Sequence, residues 1–181
     1  MRLSCIVRAA LLTLCMSVPI TAVHAQRSSS REPPEKGDTI PSTRIVVIPA
    51  LARYDMSRLA RDVKHMPAVA VFTADGPVAR SLAVKAQAIV GGPLIPLERG
   101  NRSIEAFTRA LIDTIVEKTA RPNMNRAIVL VVEPELVRLF VRGSLNERGQ
   151  AVFDQNVGEE MATFTVFVRA DNMRLIAARP L

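Results

Sequence analysis

The sequence contains few of the side chains on which much enzyme chemistry relies. It has two cysteines, Cys5 and Cys15, and both lie within the first 25 residues. If that segment is removed on export, no disulfide, catalytic thiol or thiolate metal site is available. The histidines also number two, and only His65 lies beyond the same segment, because the other is His24. One imidazole without thiolates excludes most kinds of zinc site.

Aromatic residues are scarce as well. The chain has no Trp, and Tyr54 is its only Tyr. Proteins that bind single-stranded nucleic acid or sugar rings stack them on aromatic side chains, so both functions are disfavoured. The net charge is +7, but the basic residues are scattered along the chain and often stand beside acidic ones. We therefore expect no specific nucleic-acid partner.

The first 25 residues have the features of an export signal. Arg2 and Arg8 precede the apolar stretch AALLTLCMSVPITAV, which is short for a membrane span, and VHA before Gln26 is typical of a cleavage site. The pattern predicts a signal peptide over residues 1–25 and a periplasmic or secreted protein with no membrane span after cleavage. A retained N-terminal anchor helix is the alternative. Lipidation of Cys15 is disfavoured because Leu14 is bulky.

The rest of the chain divides into a linker and one domain. Residues 26–42, QRSSSREPPEKGDTIPS, are polar and rich in Ser and Pro, which predicts a disordered linker. Residues 43–181 alternate in pattern, which predicts the following strands and helices: strands 44–48, 68–74, 93–98 and 126–133; helices 55–66, 76–91, 103–120 and 134–143. Two further strands, in MATFTVFVRADNMRLIAARP, meet at the turn pair Asp171-Asn172.

This alternation predicts an α/β fold of three layers, α/β/α. The central sheet is expected to be mostly parallel, with a C-terminal antiparallel hairpin at its edge. The segment RAIVLVVE is the most apolar of the strands, which indicates a central position with both faces buried.

The order of these elements, over roughly residues 43–179, resembles the histidine phosphatase superfamily, which has the phosphoglycerate-mutase-like fold. Within AVAVFTADGPVARSLAVKAQAI, Thr73 and Arg80 are similar to that family's strand end and its phosphate-binding arginine. PLERG, with Glu98 and Gly100, is similar to the Leu-x-Glu and Gly that the family often shows. The closing strands resemble the family's final hairpin.

The resemblance implies a member without its catalytic residues. In the family the first strand ends in Arg-His-Gly, whose His accepts the phosphoryl group, and a second His ends the central strand. Here the matching positions hold Pro49 and Ala50 in RIVVIPALAR, and Pro134 in LVVEPE. The phosphohistidine mechanism needs both histidines. His65, in KHMPA, matches neither position and is expected to be an imidazole at a helix end.

The cationic residues that remain at the expected pocket suggest binding without chemistry. Arg80 and Arg53, with Lys85 nearby, are candidates to hold an anion. We therefore expect an exported, non-catalytic protein that binds an anionic small molecule or a protein partner, without a cofactor or a metal. The alternative is an atypical phosphatase or other hydrolase that uses Glu98 or Asp75 with Arg80. A different three-layer fold, with a coincidental likeness to the family, is the third reading.

The carboxylates that stand close together in the sequence are expected to be solvated loop charges. They are Glu133 and Glu135 on either side of Pro134, and the adjacent pair Glu159-Glu160.

Export can be tested directly. Mass spectrometry of the protein recovered outside the cytoplasm should find Gln26 at the N-terminus, because VHA directs cleavage after Ala25. A mature form that still contains Cys5 or Cys15 would contradict the signal peptide.

Overall fold

The computed structural model describes residues 40–52, 54–63, 66–157, 162–172 and 174–180. They form one six-stranded sheet in the order β3-β2-β4-β1-β5-β6. The strands are β1 Ser42–Pro49, β2 Ala68–Ala74, β3 Leu94–Leu97, β4 Ala127–Val132, β5 Ala162–Arg169 and β6 Arg174–Pro180. The first four strands in this spatial order run parallel, whereas β5 and β6 are antiparallel to their neighbours. Strand β1 begins at Ser42, the last residue of the predicted linker.

Helices cover both faces of the sheet. The helices are α1 Met56–Asp62, α2 Pro77–Val90, α3 Ile104–Ile112, α4 Pro134–Gly143 and α5 Glu147–Asn156. Helix α3 continues directly into a wider π-helical stretch, Asp113–Ala120. Helices α1 and α2 pack on one face of the sheet, and α3, the π-helical stretch, α4 and α5 pack on the other. The predicted three-layer fold with its antiparallel edge hairpin is thus confirmed.

The core is centred on β4, as the apolar run predicts. Every residue of β4 is buried, with Ile128, Leu130 and Val132 facing the α3–α5 layer and Val129 and Val131 facing the α1–α2 layer. Parallel strands β1 and β2 flank β4 on its two sides. A strand with helices on both faces and strands on both sides keeps no contact with water, which explains its unbroken apolar sequence.

Side-chain caps fix where helices α1 and α3 begin. Asp55 accepts a hydrogen bond from the backbone N–H of Ser57 at α1, at 3.0 Å. Ser103 accepts one from Ala106 at α3, at 3.2 Å. In each case the cap satisfies a backbone donor that has no partner within the helix.

Helix α5 was not predicted from the sequence. Its segment, ERGQAVFDQN, contains Gly149 and only one buried residue, Phe153, so its apolar periodicity is weak. The side chain of Asn146 accepts a hydrogen bond from Gly149 N–H at 2.8 Å and starts the helix. Burial of Phe153 against Phe164 of β5, with ring centroids 5.7 Å apart, holds it on the sheet. Tertiary packing therefore stabilises a helix that the sequence of this segment favours only weakly.

The remaining boundaries differ only slightly from the prediction. Helix α1 ends at Asp62, before the predicted end at residue 66, and β3 is shorter than the predicted strand by one residue at each end. The predicted turn pair is confirmed: Asn172 adopts a positive φ of 64°, and its N–H donates to Arg169 C=O at 3.1 Å. Among the described residues, none of the helices combines the length and the apolar character that a membrane span requires.

Replacing Val131 by Asp tests the central position of β4. The substitution would bury an unpaired carboxylate, so we expect a loss of about 5 kcal/mol or more, comparable with the whole stability of a domain. Thermal and urea unfolding, read by circular dichroism, measure the effect.

Val84→Asp on α2 is the matched control, because the Val84 side chain is 55% exposed and its replacement should change stability little. A soluble, fully folded Val131→Asp protein would contradict the buried position of this strand.

Candidate functional site

The carboxyl ends of the parallel strands form the edge at which ligands bind in folds of this class. Residues Pro49 of β1 and Val132 of β4 are paired in register, and Thr73 of β2 is paired with Val131. The N–H of Ala50 donates to Val132 C=O at 2.8 Å, which joins the two strand ends. We call the residues that follow these strands the carboxyl edge: Ala50, Asp75, Gly76, Glu133 and Pro134.

The ends of β1 and β4 present no Ser, Cys or His at this edge, and Glu133 is the ionisable side chain that follows β4. Pro49 is buried, and Ala50, half-buried, offers only a methyl group. Pro134 is the first residue of α4, a position that Pro favours because the missing N–H has no partner there anyway. The structure thus brings Pro49, Ala50 and Pro134 to one edge of the sheet.

Glu133 and Gly76 lie next to each other across the ends of β4 and β2. A Cβ atom at Gly76 would stand 3.9 Å from Oε1 of Glu133. Gly76 has a φ of 141°, which an L side chain rarely adopts. This glycine therefore lets the chain turn sharply from β2 into α2 while the Glu133 carboxylate lies beside the turn.

Arg80, the predicted anion-binding residue, is paired with a carboxylate. Its guanidinium donates to Oδ1 of Asp75 at 2.7 Å. The two side chains are 64% and 53% exposed, so the ion pair contributes at most about 1 kcal/mol to stability. Lys85 lies further along α2 and is exposed. Arg53 and His65 both lie outside the described residues.

The hydroxyl of Thr73 is buried and already has a backbone partner. Thr73 is buried, and its Oγ1 donates to the C=O of Ala74 at 3.1 Å. Thr73, which is similar to the family's strand end, therefore uses its hydroxyl in a bond to the backbone of the next residue.

Glu98 lies elsewhere, at a groove between β3 and α3. The groove has a volume of 290 Å³, and Leu97, Glu98, Arg102 and Phe107 are among the residues that line it. The guanidinium of Arg102 lies over the Phe107 ring, 5.8 Å from its centroid, and donates to the C=O of Glu98 at 3.2 Å. Of the two carboxylates considered for an atypical hydrolase, only Asp75 contacts Arg80.

A pair of buried hydroxyls near the end of β1 was not anticipated from the sequence. Tyr54 follows β1 and is 8% exposed, and Thr163 of β5 is 7% exposed. The two hydroxyl oxygens are fully buried, and neither forms a well-aligned hydrogen bond with another described residue. Desolvation raises the pKa of Tyr54 above its ordinary value, and the nearby Thr163 hydroxyl opposes this shift only in part. The sequence signal for this feature was a lone Tyr just after a buried strand.

No group of three or more His, Cys, Asp or Glu side chains that could hold a metal ion occurs within the part of the chain that the structure describes. Glu159 and Glu160 lie outside the described residues.

The environment of Tyr54 can be measured without labels, because the chain has one Tyr and no Trp. Absorbance titration of the phenolate should give a pKa above 10.0 in the folded protein, since burial disfavours the anion. Folding stability should then fall as the pH rises past 10, because only the unfolded chain ionises readily there.

Tyr54→Phe is the companion variant. It removes a buried hydroxyl that has no well-aligned partner, so stability should stay unchanged or rise by about 1 kcal/mol. A loss of stability of that size would instead reveal a hydrogen bond to this hydroxyl.

Comparisons with known proteins agree with the architecture. No protein-family model and no curated protein matches the sequence, but 17 chains of solved structures match it. One is the crystal structure of phosphoglycerate mutase from Plasmodium falciparum, with a TM-score of 0.53 and 10% sequence identity, over 77% of this chain and 90% of that one. At this identity the likeness extends to the fold alone. The chain therefore has an α/β fold similar to that of phosphoglycerate mutase.

Proposed function

We propose that this chain is an exported, non-catalytic protein of the phosphoglycerate-mutase-like fold that acts by binding. Its carboxyl edge takes a protein partner or, as the other candidate occupant, an anionic small molecule. Export rests on the features of the first 25 residues, and the binding role rests on the geometry of the edge.

The observation that carries the proposal is the chemistry of the strand ends. The parallel strands β1 and β4 end at Pro49-Ala50 and Glu133-Pro134, and no Ser, Cys or His stands at either end. Transfer of a phosphoryl group through the protein needs a nucleophile held at the strand end, with donors that stabilise the equatorial oxygens. Neither Pro49, Ala50 nor Pro134 has a side chain able to attack phosphorus or to move a proton.

The charges at the edge favour a protein partner over free phosphate. Asp75 already pairs with Arg80, and Glu133, beside Gly76, and Glu135, in the first turn of α4, add two further carboxylates nearby. A small dianion would meet net repulsion at this edge. A protein surface can offer both signs of charge, so that it pairs with the carboxylates and Arg80 together.

A second candidate function follows from the contact between Asp75 and Arg80. A carboxylate held 2.7 Å from a guanidinium could orient a water molecule while the arginine binds a phosphoryl group. This is the atypical phosphatase. It is the less favoured of the two, because the ion pair is highly exposed and water competes for both groups.

Hydrolysis assays on the full chain distinguish the two functions. With a panel of phosphomonoesters we expect no turnover near the rate of ordinary enzymes, about 1 per second or faster. Any trace activity should be unchanged in His65→Ala and reduced in Arg80→Ala, since the Arg80 guanidinium could stabilise the phosphoryl charge. Lys118→Ala is the matched control, because Lys118 forms a similarly exposed ion pair with Asp113.

Turnover at ordinary enzyme rates that His65→Ala abolishes would refute the non-catalytic proposal. Turnover that Asp75→Asn and Arg80→Ala both abolish, with Lys118→Ala unaffected, would establish the atypical phosphatase instead. A rise in melting temperature with inorganic phosphate, lost in Arg80→Ala alone, would identify the occupant as an anion.

A further inference from the structure

The two edges of the sheet differ in how they are protected. Strand β3 forms one edge and β6 the other. An unprotected edge strand exposes backbone donors and acceptors that can pair with another strand, and proteins usually shorten such edges, charge them or place Pro there.

Strand β3 is protected by its length and by proline. It has only four residues. The N–H of Val71 donates to Pro93 C=O at 2.9 Å, so alternation along the parallel ladder turns Ile95 toward β2 and Pro96 outward. Pro96 has no N–H to offer to a further strand. This edge therefore pairs poorly with any added chain.

Strand β6 is less protected, because its proline, Pro180, is its last residue. It spans seven residues, and no backbone hydrogen bond from another described segment reaches its outer side. The N–H of Ala170 donates to Pro41 C=O at 3.0 Å. Hydrogen bonding alternates along β5, so the even-numbered residues bond to β1 and the odd-numbered residues bond to β6. With the observed register, Leu175 and Ala177 of β6 bond inward to β5.

The outward-facing residues of β6 are therefore Arg174, Ile176 and Ala178. Each has a backbone N–H and C=O directed away from the sheet. Arg174 does not guard the edge with its charge, because its guanidinium turns back to the Glu117 carboxylate and to Ser144 C=O. Leu175 is 41% exposed, so the edge is largely apolar.

We propose that the outer edge of β6 pairs with β6 of a second copy of this chain, antiparallel and about a two-fold axis. The axis passes midway between Ile176 and Ile176 of the copy. In this register Ile176 faces Ile176 of the copy, and Arg174 of each strand faces Ala178 of the other. All three outward-facing residues of each strand then gain backbone partners, and the two sheets become one continuous sheet of twice the size.

The composition of the strand argues for a copy of itself as the occupant. Self-pairing in this register places no charged residue opposite a like charge, and it brings the two Ile176 side chains together on the face that packs toward the α3–α5 layer. It also leaves Pro180, which has no N–H, outside the paired residues. Every copy of the chain carries such a partner strand, so the partner is present at the concentration of the protein itself.

The test uses the full chain with Cys5 and Cys15 replaced by Ser, so that no native thiol can form a disulfide. Analytical ultracentrifugation should find a dimer. Ala178→Pro should convert it to a folded monomer, because Pro removes an outward N–H and leaves the bonds to β5 intact. Ala177→Pro is the matched control: it removes an inward N–H, so its main effect should be a lower melting temperature.

A single-cysteine variant tests the register. Under mild oxidation Ile176→Cys should form a covalent dimer, because directly opposed residues of an antiparallel pair have Cα atoms about 5.5 Å apart, within the range for a disulfide. Val84→Cys, highly exposed on α2, should not. A monomeric parent protein, or a dimer that survives Ala178→Pro and is not linked through Ile176→Cys, would overturn the proposal.

Discussion

The complete burial of β4 is the constraint on which the rest of this structure depends. A strand with no exposed residue needs a neighbouring strand on each side and a helix layer on each face. Strands β1 and β2 fill the two sides, both parallel to β4. Parallel strands are joined by crossovers, which place α1 and α2 over one face and α3 with the π-helical stretch over the other. Helices α4 and α5, which join β4 to the antiparallel β5, complete the second layer. The three layers follow from one apolar run of six residues.

The same constraint fixes where a site can form and leaves its chemistry free. Parallel strands in register end together, so Pro49, Ala74 and Val132 meet at one edge whatever residues follow them. The stability of the domain comes mainly from the buried side chains of the strands and helices and not from the residues that follow the strand ends. A chain can therefore keep this fold while the edge lacks a nucleophile, and fold and activity vary separately.

Most of the architecture could be predicted because its causes are local. The β-branched run of β4, the helix that begins at Pro77 and ends before Gly91, and the turn at Asn172 each depend on a few neighbouring residues. Helix α5 could not be predicted, because its apolar periodicity is weak and its anchor is a tertiary contact between Phe153 and Phe164 of the following strand.

The geometry of the candidate site was harder to predict than α5, because it depends on contacts between segments that are far apart in the sequence. The pairing of Asp75 with Arg80 is local in sequence, yet the exposure of both groups is set by the fold. The meeting of the Tyr54 and Thr163 hydroxyls joins segments more than a hundred residues apart, and no periodicity or motif reports such a contact. The open edge of β6 likewise becomes visible only when the strand order is known.

The helix ends at the carboxyl edge bear on the proposal that this edge binds a partner and does not transfer phosphate. Helices α2 and α4 both begin at this edge, so their positive ends point toward it. In many α/β proteins such helix ends hold a phosphate through free N–H groups. Here both helices begin with Pro, which removes one donor from each.

Carboxylates of the chain itself lie near the starts of these two helices. Glu135 lies in the first turn of α4, Glu133 precedes that helix and lies beside Gly76, and Asp75 precedes α2. Each complements a positive helix end as a bound anion would. A phosphate that approached these helix ends would therefore meet negative charge. The edge is left with exposed carboxylates and one paired arginine, a surface that a partner bearing charges of both signs can match.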